Sequence, residues 1–261
     1  LSADQAKVAD ELVKAVEAED FAPVLLDGVT GSGKTETYFE PVAAAIRAGR
    51  QVLVLLPEIA LTENFLRRFE DRFGAQPTLW HSSLKSSERR RAWRAIMRAP
   101  ADGGAQVGVG ARSALFLPFR DIGLIVVDEE HDNSYKQEDG VLYSARDMSV
   151  LRGSINGAQV VLASATPSLE TWANAQAGKY KRLDLTSRFG PAVLPEMRTI
   201  DMRQEDLPGN RWISPTLATA IRGRIDEGEQ ALIFLNRRGY APVTVCRACG
   251  HQIGCDHCDA R

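Results

Sequence analysis

Gly28-Val29-Thr30-Gly31-Ser32-Gly33-Lys34-Thr35 constrains this chain more than any other stretch. Its spacing is G-x-x-x-x-G-K-[ST], a loop whose main-chain N–H groups surround a phosphate. Val24-Leu25-Leu26 before it reads as a short buried strand, and Thr35 to Ala48 after it as a helix. The glycines permit the tight turn, and the helix N-terminus adds partial positive charge at the same place. In this pattern Lys34 reaches the β- and γ-phosphates of a nucleotide and the Thr35 hydroxyl binds Mg²⁺. The loop says "nucleotide" but names no reaction.

The 261 residues suit one large domain or two modest ones, and a 44% hydrophobic share is enough for a real core. No apolar run is long enough to span a membrane, and the start at Leu1-Ser2-Ala3-Asp4 carries no secretory signal. The expectation is a cytosolic chain, cut from something longer. A net charge of −2 gives no global sign of nucleic acid, although a groove needs only a local basic lining.

Apolar runs at Val52–Leu56, Leu124–Val127 and Val160–Ala163 fit strands covered on both faces. Helical patterns at 1–19, 61–73 and 85–98 alternate with them, and short strands are expected at 78–80 and 106–109. The result is a parallel α/β sheet, whose ligands sit at the carboxyl ends of the strands. The loop 28–35, Arg112, Asp128 and Ser164 all follow strand ends, so they converge on one edge. In the first helix Ala6, Val8, Ala9, Leu12, Val13 and Val16 share a face; Gln5 by itself reads as a solvated surface residue. The helix 85–98 carries Arg89, Arg90, Arg91, Arg94 and Arg98, either a solvated face or a phosphate-contacting one. Near residue 190 the texture changes. A strand at Thr199–Met202, a helix at 215–227 and a strand at Ala231–Leu235 suggest a new α/β unit.

Asp128-Glu129, directly after an apolar strand, is the acidic pair that a phosphate loop needs. Asp128 would hold Mg²⁺, and Glu129 would position or deprotonate the attacking water. That points to ATP hydrolysis. At the other end, Cys246-Arg247-Ala248-Cys249 and Cys255-Asp256-His257-Cys258 are two CxxC pairs, and together they could make one Zn²⁺ site.

Asp128-Glu129-Glu130-His131 with Ser164-Ala165-Thr166 resembles motifs II and III of superfamily 2 helicases. More closely, the chain resembles the PriA family of replication-restart (primosomal) helicases. The likeness runs through Gly28–Thr35, Leu56–Thr62, Trp80–Leu84, Gly110–Phe116, Asp128–Gln137, Tyr143–Asp147, Ser164–Ser168, Phe234–Tyr240 and the cysteines. It implies a RecA-like P-loop fold, with residues 1–189 as the first helicase lobe, 190–245 as the start of the second and 246–261 as part of a zinc module. It also implies roles. Gln5 joins Gly28, Val29, Thr30, Gly31, Ser32, Gly33, Lys34 and Thr35 in the ATP site by contacting adenine. Pro57, Glu58, Arg112 and Ser113 touch DNA. Tyr135 and Lys136 belong to an aromatic-rich loop that couples DNA binding to hydrolysis, with Tyr135 and Tyr143 as base-stacking groups. His131, Ser164 and Thr166 relay between the two motifs.

The resemblance implies an ATP-driven 3′-to-5′ DNA helicase that remodels stalled forks and starts primosome assembly. Its partners would be single-stranded and forked DNA, primosome proteins, single-stranded DNA-binding protein and the loader of the replicative helicase, at the bacterial nucleoid. In the family eight cysteines bind two zincs with interleaved pairs, so Cys246 with Cys249, and Cys255 with Cys258, could serve different ions. His251 and His257 are substitute ligands. The arginines that close the ATP site would lie beyond residue 261, so the chain alone is expected to bind nucleotide but turn it over far below ~10 s⁻¹. Two alternatives stay open at this level: a fork-binding scaffold that needs no ATPase, and another superfamily 2 repair translocase.

Overall fold

A computed structural model describes residues 1–18, 21–57, 63–190, 195–205, 213–234, 244–245 and 252–253. The chain divides into two units, Leu1–Val193 and Leu194–Arg261.

The first unit is built on a seven-stranded sheet. Its strands are β1 (Val24–Gly28), β2 (Gln51–Leu55), β3 (Thr78–Trp80), β4 (Val107–Gly110), β5 (Ile122–Asp128), β8 (Gln159–Ser164) and β9 (Lys181–Leu185). Between β5 and β8 in sequence, β6 (Lys136–Gln137) and β7 (Tyr143–Ser144) form a separate antiparallel pair. The sheet order is β3-β4-β2-β5-β8-β1-β9, and every pairing in it is parallel. All seven carboxyl ends therefore lie on one edge.

Period-two alternation divides the apolar strands between two cores. Val52, Val54, Leu124, Val126, Val161 and Ala163 face one side. Leu53, Leu55, Ile125, Val127, Val160 and Leu162 face the other. Helices α1 (Ala3–Glu17), α2 (Lys34–Arg47) and α3 (Glu63–Phe73) cover the first side through Leu12, Val42 and Phe69 among others. Helix α4 (Ser86–Met97), the turn Arg112–Phe116 and helix α5 (Ala145–Asn156) cover the second through Ile96, Leu115 and Ala145. A further helix, α6 (Leu169–Gln176), starts at the cap Ser168. No helix among the described residues is long and apolar enough to cross a membrane.

Two features depart from the sequence reading in this unit. Strand β9 was not anticipated, because Lys181-Arg182-Leu183-Asp184-Leu185 looks like a charged loop. It is an edge strand, where charge is tolerated and discourages further pairing. Lys181 reaches Glu11 at 2.6 Å and Arg182 reaches Asp27 at 2.9 Å. In helix α1, Ala6 is exposed and Gln5 is buried, so the inward face is shifted from the one expected.

In the second unit, helix α7 (Pro215–Asp226) forms as the sequence suggests, capped by Ser214. The expected strand at Thr199–Met202 does not form. Asp201 instead accepts the Arg203 main-chain N–H at 3.1 Å and pairs with its guanidinium, an Asx-type turn that competes with extended pairing. Ala231–Phe234, expected to open a strand, pairs with nothing among the described residues. Thr244–Val245 (β10) and Gln252–Ile253 (β11) pair antiparallel.

Candidate nucleotide site and the sheet edge around it

The loop after β1 turns through two left-handed glycines, Gly31 and Gly33, both at φ 79°. A Cβ on Gly33 would lie 2.3 Å from Gln5 Nε2, and one on Gly28 would lie 2.7 Å from Ser32 Oγ and 2.9 Å from Lys34 Cγ. Glycine is therefore required both by backbone conformation and by close approach. Helix α2 begins at Lys34 with no side-chain cap, which leaves its first N–H groups to an outside acceptor. Lys34 is nearly buried, with Nζ on the Gly28 carbonyl at 2.9 Å. The buried Ser32 hydroxyl has no hydrogen-bond partner among the described residues.

Gly31, Ser32, Gly33 and Lys34 line a cavity of about 500 Å³, together with Gln5, Thr30, Thr35, Arg68, Asp128, Glu129 and Phe189. The volume suits a small-molecule ligand. The uncapped helix start, the glycine turn and the orphaned hydroxyl fit a phosphate, and the Asp128–Glu129 carboxylates beside Thr35 fit a hard cation.

Gln5 is not the solvated residue that its sequence context suggests. It is 4% exposed; Nε2 donates to the Ser32 carbonyl at 2.8 Å and Oε1 accepts the Ser2 N–H at 2.7 Å. It caps α1 and braces the loop at once. The Phe189 N–H holds the other flank by donating to the Gly31 carbonyl at 2.9 Å.

At the end of β5 the chain turns sharply. Glu129 has φ 47°, the sole left-handed non-glycine among the described residues. Such a conformation costs on the order of 1 kcal/mol or more and persists where its surroundings enforce it. It separates three adjacent acids. Asp128 and Glu129 line the cavity, while Glu130 enters the interior at 1% exposure. Burial pushes the Asp128 carboxyl above the usual carboxylate range, against a hydrogen bond from Tyr38. His131 Nδ1 lies 2.7 Å from Ser164 Oγ and 3.6 Å from Glu129 Oε2, so it touches the end of β8 and the acidic pair together. Ser164 Oγ also accepts the Thr166 N–H at 3.0 Å.

Glu130 carries a network that the sequence reading missed. It accepts from the Ser168 N–H at 2.7 Å, the Ser168 hydroxyl at 2.9 Å and the Thr171 hydroxyl at 2.8 Å. Arg146, also buried, sits 3.5 Å away and is held more closely by Asp147 at 2.7 Å and by the Ser168 hydroxyl at 2.6 Å. The sequence signal is that Glu130, Arg146 and Ser168 all fall inside stretches that carry the helicase resemblance.

The residues expected to touch DNA are distributed unevenly. Arg112 follows β4, and its guanidinium donates to the main-chain carbonyls of Ser134 and Lys136. Ser113 is exposed and accepts from Trp80 Nε1 at 3.2 Å. Lys136 is exposed on β6. Pro57, two residues past β2, is buried; Glu58 lies outside the described residues. Tyr135 corrects an expectation. It is 1% exposed within the second core, with its hydroxyl on the Asp128 carbonyl at 2.7 Å, and cannot stack on a base. Tyr143 is half-buried and packs edge-on against Phe116 at 5.2 Å. On α4, Arg89 lies over the Trp80 ring and bonds the Ser82 carbonyl at 3.1 Å. Cys246, Cys249, Cys255 and Cys258 lie outside the described residues, as do His251 and His257.

Residues 2–175 match the DEAD/DEAH box helicase family. Over 256 residues the chain is 48% identical to the replication restart protein PriA of Rickettsia prowazekii, covering 97% of this chain and 39% of that protein. Against PriA of Bacillus subtilis it is 41% identical over 260 residues, 99% of this chain and 32% of the relative. The chain thus spans well under half the length of these relatives. Among solved structures it resembles RecG bound to a three-way DNA junction, with TM-score 0.53 and 21% identity over 73% of this chain and 24% of that one. The helicase domain of Pyrococcus furiosus Hef gives TM-score 0.50 and 19% identity over 70% of this chain and 37% of that one. Likeness at that level speaks for the RecA-like α/β fold alone. By its family match over most of the sheet unit, and by its alignment along nearly its whole length with replication restart proteins, the chain belongs to the DEAD/DEAH box helicases.

Proposed function

We propose that this chain is the ATP-binding part of a DNA helicase of replication restart, acting on stalled forks to begin primosome assembly. The observation that carries the proposal is the meeting of Lys34, Thr35, Asp128 and Glu129 around one cavity at the carboxyl edge of the sheet. Gly28 to Thr35 would hold the triphosphate of ATP, and Gln5 would stand beside the base. Thr35 and Asp128 would hold Mg²⁺. When bound, the cation would supply charge neutralisation for the phosphoryl group that leaves. Glu129 would orient the attacking water. Its neighbour His131, bonded to Ser164, would pass the state of the acidic pair to the turn containing Thr166.

Arg112, Ser113 and Lys136 lie at or beyond the β4 end of the same edge and would take DNA phosphates; Glu58 is proposed with them. Pro57 and Tyr135 would act from inside, by holding the segments that carry contacts. Residues 1–189 would be the first lobe and 190–245 the start of the second. Cys246, Cys249, Cys255 and Cys258 would bind zinc, in one site or shared between two. By likeness to the replication restart proteins, the partners would be single-stranded and forked DNA and the proteins that reload a replicative helicase.

The test is ATP turnover by the whole helicase of which this chain is proposed to be a part, without DNA, with single-stranded DNA and with a forked duplex, using Lys34→Ala as control. Fork stimulation that disappears in the variant supports the proposal. Nucleotide binding with turnover indifferent to DNA would remove the helicase reading.

A further inference from the structure

Asp128 is gripped by two tyrosines that come from opposite faces of the sheet. Tyr38, on α2 in the first core, is fully buried, and its hydroxyl donates to Asp128 Oδ2 at 2.8 Å. Tyr135, in the second core, donates to the Asp128 main-chain carbonyl at 2.7 Å. Asp128 Oδ1 is taken by the Glu129 N–H at 3.0 Å. A phenol hydroxyl in an apolar core is costly unless it is bonded, and phenylalanine would fill nearly the same volume without that demand. Both cores nevertheless carry a hydroxyl, and both hydroxyls end on one residue. A phenol hydroxyl keeps its proton at neutral pH, so each is a donor there.

We infer that Tyr38 is a positioning residue for the cation-binding carboxylate. Its hydrogen bond fixes the rotation of the Asp128 side chain, so that each carboxylate oxygen spends one lone pair inside the protein and keeps the other for a divalent cation. Tyr135 holds the backbone beneath that carboxylate from the opposite layer. The division of labour predicts unequal effects: loss of the Tyr38 hydroxyl frees the ligand itself, whereas loss of the Tyr135 hydroxyl loosens only its support. Hydrogen bonds to metal ligands of this kind are worth about 10–100-fold in metal affinity.

The inference rests on Asp128 holding Mg²⁺, as proposed above, and the experiment separates the two. The 261-residue chain is titrated with a fluorescent ATP analogue in EDTA and then over a Mg²⁺ series, as wild type, Tyr38→Phe, Tyr135→Phe, Asp128→Asn and Tyr38→Phe/Asp128→Asn. In Tyr38→Phe the half-saturating Mg²⁺ concentration is expected to rise about 10-fold or more, with affinity in EDTA unchanged within about twofold. Tyr135→Phe should shift it by less. The double variant should match Asp128→Asn, since Tyr38 acts through that carboxylate. A Tyr38→Phe curve that overlays wild type while Asp128→Asn is displaced overturns the inference; so does a double variant displaced well beyond Asp128→Asn. If Asp128→Asn itself leaves the Mg²⁺ series unmoved, the cation assignment falls instead. Melting in EDTA identifies any variant that has failed to fold, and the double-variant comparison then decides the matter within the Asp128→Asn background.

Discussion

At the β1 end of the sheet edge, the groups facing the cavity are main-chain donors held open by glycine. At the β4 end they are side chains already committed to other parts of the chain. Gly31 and Gly33 hold their turn by backbone conformation, and Ser32 keeps a buried hydroxyl without a partner among the described residues. Arg112, by contrast, donates to the carbonyls of Ser134 and Lys136, and Ser113 accepts from Trp80. The first end is preorganised for its ligand, so binding there needs little rearrangement. The second has part of its donor set spent inside the chain, so a phosphate that drew Arg112 Nη1 away would loosen its hold on the segment around Tyr135. That segment reaches Asp128 through the Tyr135 hydroxyl. Glu130, after β5, lies between the two ends in the sheet order, bonding the turn after β8 and lying beside Arg146 on α5.

The comparison can be broken at its joint first. Glu130→Ala strips the shared acceptor from the Ser168 N–H, the Ser168 hydroxyl and the Thr171 hydroxyl, while Arg146 keeps Asp147 and Ser168; leaving a buried donor unsatisfied costs about 1–3 kcal/mol. Urea unfolding should show that loss, and a change below about 1 kcal/mol would mean the network is not a joint. Next in size, Lys34→Ala should reduce ATP turnover at least about 100-fold, as losing one preorganised charge contact does. DNA affinity without nucleotide should stay within about twofold; a parallel fall in both would erase the distinction between the ends.

Arg112→Ala tests the other end. A phosphate contact of this kind is worth about 1–2 kcal/mol, so DNA affinity should drop about 10-fold and the salt dependence should flatten by about one unit. Nucleotide affinity without DNA should not move. Uniform loss at both sites would show that Arg112 acts by folding the loop rather than by touching phosphate.

The smallest effect is in pH. Asp128 titrates above its usual range because it is buried, so its stabilising contribution is full below the ordinary carboxylate pKa of about 4 and is lost as pH rises through the raised value. In EDTA at pH 7, Asp128→Asn should therefore melt above wild type, and the gap should close as pH falls toward about 4. A gap independent of pH would point to packing instead of charge.

Much of this was legible in the residues. The loop 28–35, the apolar runs that became β2, β5 and β8, and the convergence of Arg112, Asp128 and Ser164 on one edge follow from local pattern and parallel topology. The cysteines expected to bind zinc and Glu58 fall outside the described residues. Tyr135 was misplaced as a stacking group, and Gln5 reads as solvated from local context alone although the family resemblance puts it at the ATP site, for a single reason. Each is a polar or ring-bearing residue near a motif, and only packing decides whether such a residue faces water or the core. Edge strand β9 was missed because its charges mask its pairing. The strand expected at Thr199–Met202 lost to a local side-chain turn at Asp201.

By itself the sequence determined the phosphate loop, the acidic pair and the parallel α/β class, because glycine spacing and hydrophobic period act over a few residues. Tertiary structure alone decided the pairing of Glu130 with Arg146, the bond from His131 to Ser164, and the meeting of Tyr38 and Tyr135 on Asp128. Those contacts join residues up to 90 positions apart, and no local propensity records which distant donor a buried acceptor will find.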